Sequence, residues 1–320
     1  MENEKRHQNE YDLVTVGFPM VEIMRKERGG RFDEIGDFIG PYPSADTCIM
    51  LDVAARLGTK CCFLGVSADD VYGKVVMDRL RKDGVDVSKV RIVPEKDTTV
   101  VFVRYETDGT REYLPTFADT ACVSFCEDDI DLEVVKHAKC VHFSGEVILI
   151  CTDDKRRAAM LKLLHNIDKD TIVSLDPNFT EWNTEVKKWL EPFIARADVL
   201  FPSEGEAMKM MDMETDEMAC NMLAQQGKIV AYKRGSAGCD IYEGAHKCHA
   251  DAFQVTEVDP TGCGDSFCAG FLTGLLEGMP LQAAGTIANA AGELKAAKFG
   301  PMEGAMYRTE VEDFIDSQRR

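Results

Sequence analysis

The sequence has little that would tie it to nucleic acid, a membrane or a disulfide framework. Lys and Arg number 37 against 56 Asp and Glu, a formal net charge of −19. So large an acidic excess disfavours nucleic acid or anionic lipid as the main partner. No apolar run approaches the roughly 18 residues of a membrane span. The opening stretch MENEKRHQNE lacks the apolar centre of a signal peptide, which makes a cytoplasmic protein the expectation. The 12 Cys are scattered without the paired CxxC spacing of a structural zinc site, so reduced and mostly buried thiols are expected. His246, Cys248 and His249 lie close together, but no second ligand pair accompanies them. There is no GxxxxGK[ST] loop, GCGDSF lacks the third glycine of a dinucleotide fingerprint, and the HRD and DFG pair of protein kinases is missing.

What is present is enough for a large core, with 320 residues of which 45% are hydrophobic. From Tyr11 a β-branched strand runs into a Gly-Phe-Pro break. Strands then alternate with helices: helix 46–57, strand 61–66, helix 71–83, strand 139–144, helix 154–166, strand 171–175, helix 184–195, strand 198–201, helices 204–211 and 215–226, and strand 228–232. Hairpin-like strands at 239–243 and 246–250 precede two small-residue-rich helices near 264–277 and 281–297, and the chain closes on a last helix. The alternation predicts an α/β fold with a mostly parallel sheet covered by helices. One stretch, TTVVFVRYETDGTREYL from Thr98, instead predicts two strands joined at Asp108-Gly109. Together with the polar excursion at 18–43 it predicts a small antiparallel sheet, a lid built from about 18–43 and 98–116 on a domain spanning 11–310, with 1–10 as a tail. Apolar strands such as VVFV would be exposed on a projecting lid, so a homodimer through the lid is expected.

The chemistry is most legible at Asp259-Pro-Thr-Gly-Cys-Gly-Asp265, just before an apolar helix. Glycines at 262 and 264 free consecutive backbone N–H groups to converge on an anion at the positive end of that helix. A carboxylate beside an anion hole would repel phosphate unless it had a task. The task that fits Asp265 is to take the proton of an attacking hydroxyl during phosphoryl transfer.

DPTGCGD resembles the DTxGAGD signature of the PfkB, or ribokinase-like, carbohydrate kinases. ARLG at 55–58, the Gly65 to Gly73 stretch, Ser144-Gly145, DPN at 176–178, Glu206 and KRGSAG at 233–238 follow in that family's order. The resemblance implies a three-layer sandwich with a central mostly parallel sheet and a β-sheet lid, and an ATP-dependent transfer of phosphoryl to a hydroxyl of a sugar or polyol. It implies Asp265 as base, with the amides of Gly262, Cys263 and Gly264 on the transferring group. Glu206 would organise Mg and its water; Lys233, Gly235, Gly238, Ser203 and Asn289 would shape the ATP site. Asp259 and Thr261 sit where relatives often build a monovalent-cation loop, so potassium is a possible cofactor.

The acceptor side departs from the pattern. The GGxxxN element is here Ser44-Ala45-Asp46-Thr47-Cys48-Ile49, leaving Asp46 to hold vicinal hydroxyls, and the aspartate at the first strand's exit is Glu22. Ser203 replaces the asparagine of NxxE, and Thr180 stands where many relatives have arginine, which counts against an acidic sugar. Arg104 or Arg111 on the lid would have to supply that cation. Two other readings remain: a nucleoside kinase of the same family, and a catalytically silent sugar- or nucleotide-binding protein.

Overall fold

A computed structural model describes residues 10–304 and 306–318; the expected tail falls almost wholly outside them. The chain opens with β1 (Tyr11–Gly17), β2 (Met20–Arg25), β3 (Phe38–Ser44), α1 (Asp46–Arg56), β4 (Cys61–Ala68), α2 (Val71–Lys82), β5 (Val90–Val93), β6 (Thr99–Tyr105) and β7 (Arg111–Pro115). It continues through α3 (Leu132–Lys136), β8 (Ala138–Ser144), α4 (Gly145–Ile150), α5 (Asp154–His165), β9 (Ile172–Asp176), α6 (Thr184–Arg196), β10 (Val199–Leu200), α7 (Glu206–Met211) and α8 (Asp216–Gln225). The last elements are β11 (Ile229–Lys233), β12 (Cys239–Glu243), β13 (His246–Ala250), α9 (Cys263–Leu276), α10 (Leu281–Ala296) and α11 (Arg308–Gln318).

Nine strands form one sheet in the order β13-β12-β11-β10-β9-β8-β1-β4-β5. Every neighbouring pair from β5 to β11 is parallel, and the antiparallel pairs are β11 with β12 and β12 with β13. Alternate residues of each strand enter opposite cores, as the two-residue period of a strand requires. Leu13, Cys61 and Phe63 pack with α1, α2, α9, α10 and α11, whereas Val14, Cys62 and Leu64 pack with α3 to α8. Three layers result.

The helices α9 and α10 approach closely because small residues face each other. A Cβ on Gly270 would lie 2.8 Å from the Ala288 Cα, so an alanine there would push the two helices apart. All 12 cysteines are free thiols.

A second sheet, β3-β2-β6-β7, forms the lid. The hairpin at Asp108-Gly109 joins β6 to β7, with Gly109 at φ 88°. One expectation is corrected: the lid is mixed, since β2 and β6 are parallel. The polar excursion contributes β2 and β3 to it, β3 as an edge strand whose residues at 38–42 are largely exposed and so carry no apolar alternation. Ala45, between β3 and α1, sits at φ 94°, ψ 134°, a conformation that favours glycine; alanine holds it under strain.

Candidate active site

The site lies at the carboxyl ends of the parallel strands, where ligand crevices of open α/β sheets form. Ser144, Asp176 and Lys233 are the last residues of β8, β9 and β11, so each side chain emerges at the same edge. Opposite them, the loop 259–262 enters α9. Gly262 takes φ 85° as that helix's N-cap, and a Cβ there would lie 2.5 Å from the Pro301 carbonyl oxygen. A larger residue is excluded on both counts.

Asp265, in the first turn of α9, is half-buried at the floor of this cleft. Burial, reinforced by the charges of Asp46 and Asp176, holds its carboxyl well above the usual carboxylate range, against the pull of Lys233. Asp46 is carried there by the start of α1. One of its oxygens accepts from the Thr47 backbone N–H at 2.6 Å and the other from the Ser144 hydroxyl. Burial raises this carboxyl too. Two further acids complete the group. Glu146 on α4 is pushed up to about 8 by burial and by Asp46 and Glu22. Glu22 on β2 is pushed up to about 7, chiefly by burial, although Ser44 Oγ donates to it at 2.7 Å. Glu22 Oε2 is buried without a hydrogen-bond partner, an acceptor left open.

The nucleotide side is built around Lys233. Its ammonium donates to Asp176 Oδ2 at 2.6 Å, and it would stand 3.5 Å from a Cβ on Gly264, beside the helix entrance. Apart from its own helix and chain neighbours, nothing else comes within 4 Å of that position, which leaves an open cradle between the helix entrance and the lysine. Burial pulls Lys233 down, but Asp176 and Glu206 outweigh it and keep it charged. Asp176 Oδ1 is buried and unpartnered. Glu206 heads α7, its two oxygens accepting from the backbone N–H groups of Ser203 (2.7 Å) and Phe179 (3.3 Å). The turn in front of it is pinned by Asp216, which accepts from the Gly205 and Met208 N–H groups. An orphaned carboxylate oxygen, a firmly oriented glutamate and an anion cradle are what a magnesium–nucleotide needs; the donor set fits it. Among the described residues no three His, Cys, Asp or Glu side chains alone could hold a metal ion.

The model of the pfkB family of carbohydrate kinases matches residues 49–306. The chain belongs to that family. It is an ATP-dependent phosphotransferase acting on a sugar hydroxyl. An Arabidopsis thaliana protein assigned as fructokinase-2 is 26% identical over 319 residues, covering 96% of each chain. Fructokinase-1 of Oryza sativa is likewise 26% identical, over 95% of this chain and 98% of its own. Among solved structures, an E. coli protein assigned as ribokinase II superposes with a TM-score of 0.90 at 30% identity, over 96% of this chain and 99% of its own. That protein has also been crystallised with ATP and Mg2+, and this form superposes with a TM-score of 0.89.

In this kinase some expected site residues stand elsewhere. Arg104 is a correction. Cross-strand pairing puts Tyr105 and Arg111 on one face of the lid with Val103 and Tyr113, and Arg104 with Glu112 on the other. Arg104 is tied there to Glu106 and Glu112 and stacks on Phe32. The cation beside the site is Arg111, close to Tyr105, Cys263 and Asp259. Asn289 is a second correction. Its amide donates to the Ala250 and Asp251 carbonyls at 2.9 and 3.0 Å, so it positions the segment packed against Gly238 instead of offering its N–H groups to adenine. Gly235 and Gly238 take φ 50° and 78° in the turn after β11, and Ser203 bridges to Lys233 through its backbone. Glu146, missed in the sequence, directly follows Ser144-Gly145. No periodicity marks it, because its role depends on where β8 ends.

No helix among the described residues is long and apolar enough to cross a membrane.

Proposed function

We propose that the acceptor is a neutral polyhydroxylated sugar, that Glu22, Asp46 and Glu146 bind its hydroxyls, and that Asp265 deprotonates the one that reacts. The observation that carries this is the convergence of four carboxyl groups on one cleft, with the cation Lys233 on the nucleotide side. Such a wall offers a sugar acid or sugar phosphate no cationic partner of its own, while its oxygens suit vicinal hydroxyls. Fructose heads the acceptors to be tried, because the Arabidopsis and rice relatives are assigned as fructokinases. As the hydroxyl oxygen attacks the γ-phosphorus, its proton passes to the Asp265 carboxylate, and the bond to the bridging oxygen of ADP breaks. Magnesium, when bound, neutralises the nucleotide phosphates, with Glu206 holding its water. The amides of Gly262, Cys263 and Gly264, with Lys233, stabilise the charge on the transferring group. Tyr113 and Arg111 on the lid close over the mouth and limit water.

Glu146→Gln tests the carboxyl cluster. Asp265 must be ionised to act, and its raised pKa means that the active fraction grows as pH rises. kcat/KM should therefore climb through a limb set by the coupled group. Removing the Glu146 charge eases ionisation of Asp265, so the limb should move to lower pH by about one unit. A pH profile of kcat/KM with an unmoved limb contradicts the assignment.

The lid's outer face supports the dimer. Phe38 and Leu114 are exposed there, Leu114 at 50%. A second copy of this chain is the occupant we propose. Light scattering should give twice the 35.6 kDa chain mass, and Leu114→Glu should return it to one. A wild-type monomer at micromolar concentration contradicts this. The free thiols fit a reducing compartment, in keeping with a cytoplasmic enzyme.

A further inference from the structure

Lys295 lies in the last turn of α10 and is entirely buried, yet its ammonium makes no hydrogen bond to a carboxylate. It donates instead to two backbone carbonyls, Asp259 at 2.8 Å and Lys298 at 3.0 Å, with Asp259 Oδ2 standing 3.9 Å away. A fully buried lysine facing carbonyl oxygens is unusual, because desolvating an ammonium is costly unless strong acceptors surround it. A bare monovalent cation asks for the same environment.

The rest of the loop is laced around that point. The Val258 and Asp259 N–H groups donate to the Ala296 carbonyl at 2.8 and 3.1 Å. The Asp259 carboxylate accepts from the N–H groups of Thr261 and Gly300, at 2.9 and 2.8 Å, and from the Tyr105 hydroxyl of the lid. Thr261 Oγ1 is paired with the same phenol at 2.8 Å. The polar groups expected to take up potassium therefore already have protein partners, and the charge at their centre belongs to the chain. A free cation does not fit.

We infer that the Lys295 ammonium replaces a monovalent cation in the loop that leads into the anion hole, which makes this kinase independent of potassium. The tether is the point: the charge that orders residues 259–262 ahead of Gly262 and Gly264 is held by α10 and cannot dissociate. Lys295 is a positioning residue, acting on the transferring group only through this loop. The inference rests on the reading of that loop as the phosphoryl-transfer site.

The test uses the full chain with Mg–ATP and fructose, in choline chloride exchanged for KCl at constant ionic strength. Wild-type turnover should change by less than about 2-fold. Lys295→Ala opens a cavity lined by the two carbonyls, so its turnover should fall at least ~10-fold in choline and be restored by potassium. A wild-type rate that rises ~5-fold or more with potassium overturns the inference, and does so even where Lys295→Ala fails to fold. Melting gives a readout that needs no turnover. Potassium should raise the melting temperature of Lys295→Ala and leave that of the wild type unmoved, since only a vacated cage binds the ion. A stabilised wild type, or a folded variant indifferent to potassium, overturns the inference. Absence of turnover with every sugar counts against the functional reading alone, and the melting comparison still decides this one.

Discussion

Asp265→Asn should lower kcat by about 10³-fold, some 4 kcal/mol of transition-state stabilisation, with KM for ATP and for sugar little changed. The amide is nearly isosteric and removes a raised, half-buried acid, so the fold has no reason to suffer. What disappears is the acceptor of the hydroxyl proton. The amides of Gly262 to Gly264 and the Lys233 ammonium remain, and the residual rate measures what charge stabilisation and alignment achieve without a base. Steady-state kinetics with ADP release as the readout distinguish this from a binding role. A variant that keeps kcat within about 3-fold and instead raises KM would make Asp265 a binding group.

Arg56→Met should destabilise the folded chain by about 3–5 kcal/mol, a large part of a typical net stability of roughly 5–15 kcal/mol. Arg56 on α1 is buried and ion-paired to Asp52 at 2.9 Å and to Asp83 at 3.2 Å. Arg79 on α2 contacts the same two carboxylates at 3.2 and 2.7 Å. Both arginines also donate to the 302–304 segment, Arg79 to the Met302 carbonyl at 2.5 Å and Arg56 to that of Gly304 at 3.2 Å. Two cations balance two anions, and methionine keeps the stem volume while leaving an unpaired negative charge. Burial already raises Asp52 well above the usual carboxylate range, with Arg79 opposing it. In the variant, Asp52 takes up a proton more readily still. A group whose folded pKa is raised loses its stabilising contribution as pH rises through that value, so the deficit should be smaller in acid and grow towards neutral pH. Urea unfolding at two pH values measures both parts. A loss under about 1 kcal/mol at neutral pH would mean that the network adds little.

Much of this is legible in the sequence alone. The strand and helix alternation carried the nine-stranded sheet, because buried parallel strands are runs of apolar β-branched residues and their helices end on glycines such as Gly58 and Gly84. Asp265 and its glycines were legible because loop, helix start and carboxylate are contiguous. β3 was not, since an edge strand with Gly40, Pro41 and Pro43 has no apolar alternation to detect. Arg104 was misplaced because strand parity sets the face of a lid residue, and parity acquires a meaning only once the register of Tyr105 against Arg111 is known. Asn289 is placed at the ATP site by resemblance alone; its two carbonyl partners come from a segment 38 and 39 residues away. Glu146 and Lys295 share that difficulty. A glutamate at a helix start and a lysine near a helix end are ordinary surface residues by pattern, and only the packing of α4 on β8 and of α10 on α9 turns them inward.

The most direct test of the account is the phosphorus-31 spectrum of the products formed from Mg–ATP and fructose by the wild-type kinase. The account predicts a sugar monophosphate resonance that grows in step with ADP, with no matching growth of inorganic phosphate. ADP accompanied by inorganic phosphate alone, across a series of neutral sugars, would contradict it. So would phosphorylation of a sugar acid or sugar phosphate in preference to every neutral sugar, since four converging carboxyl groups offer neither a cationic partner.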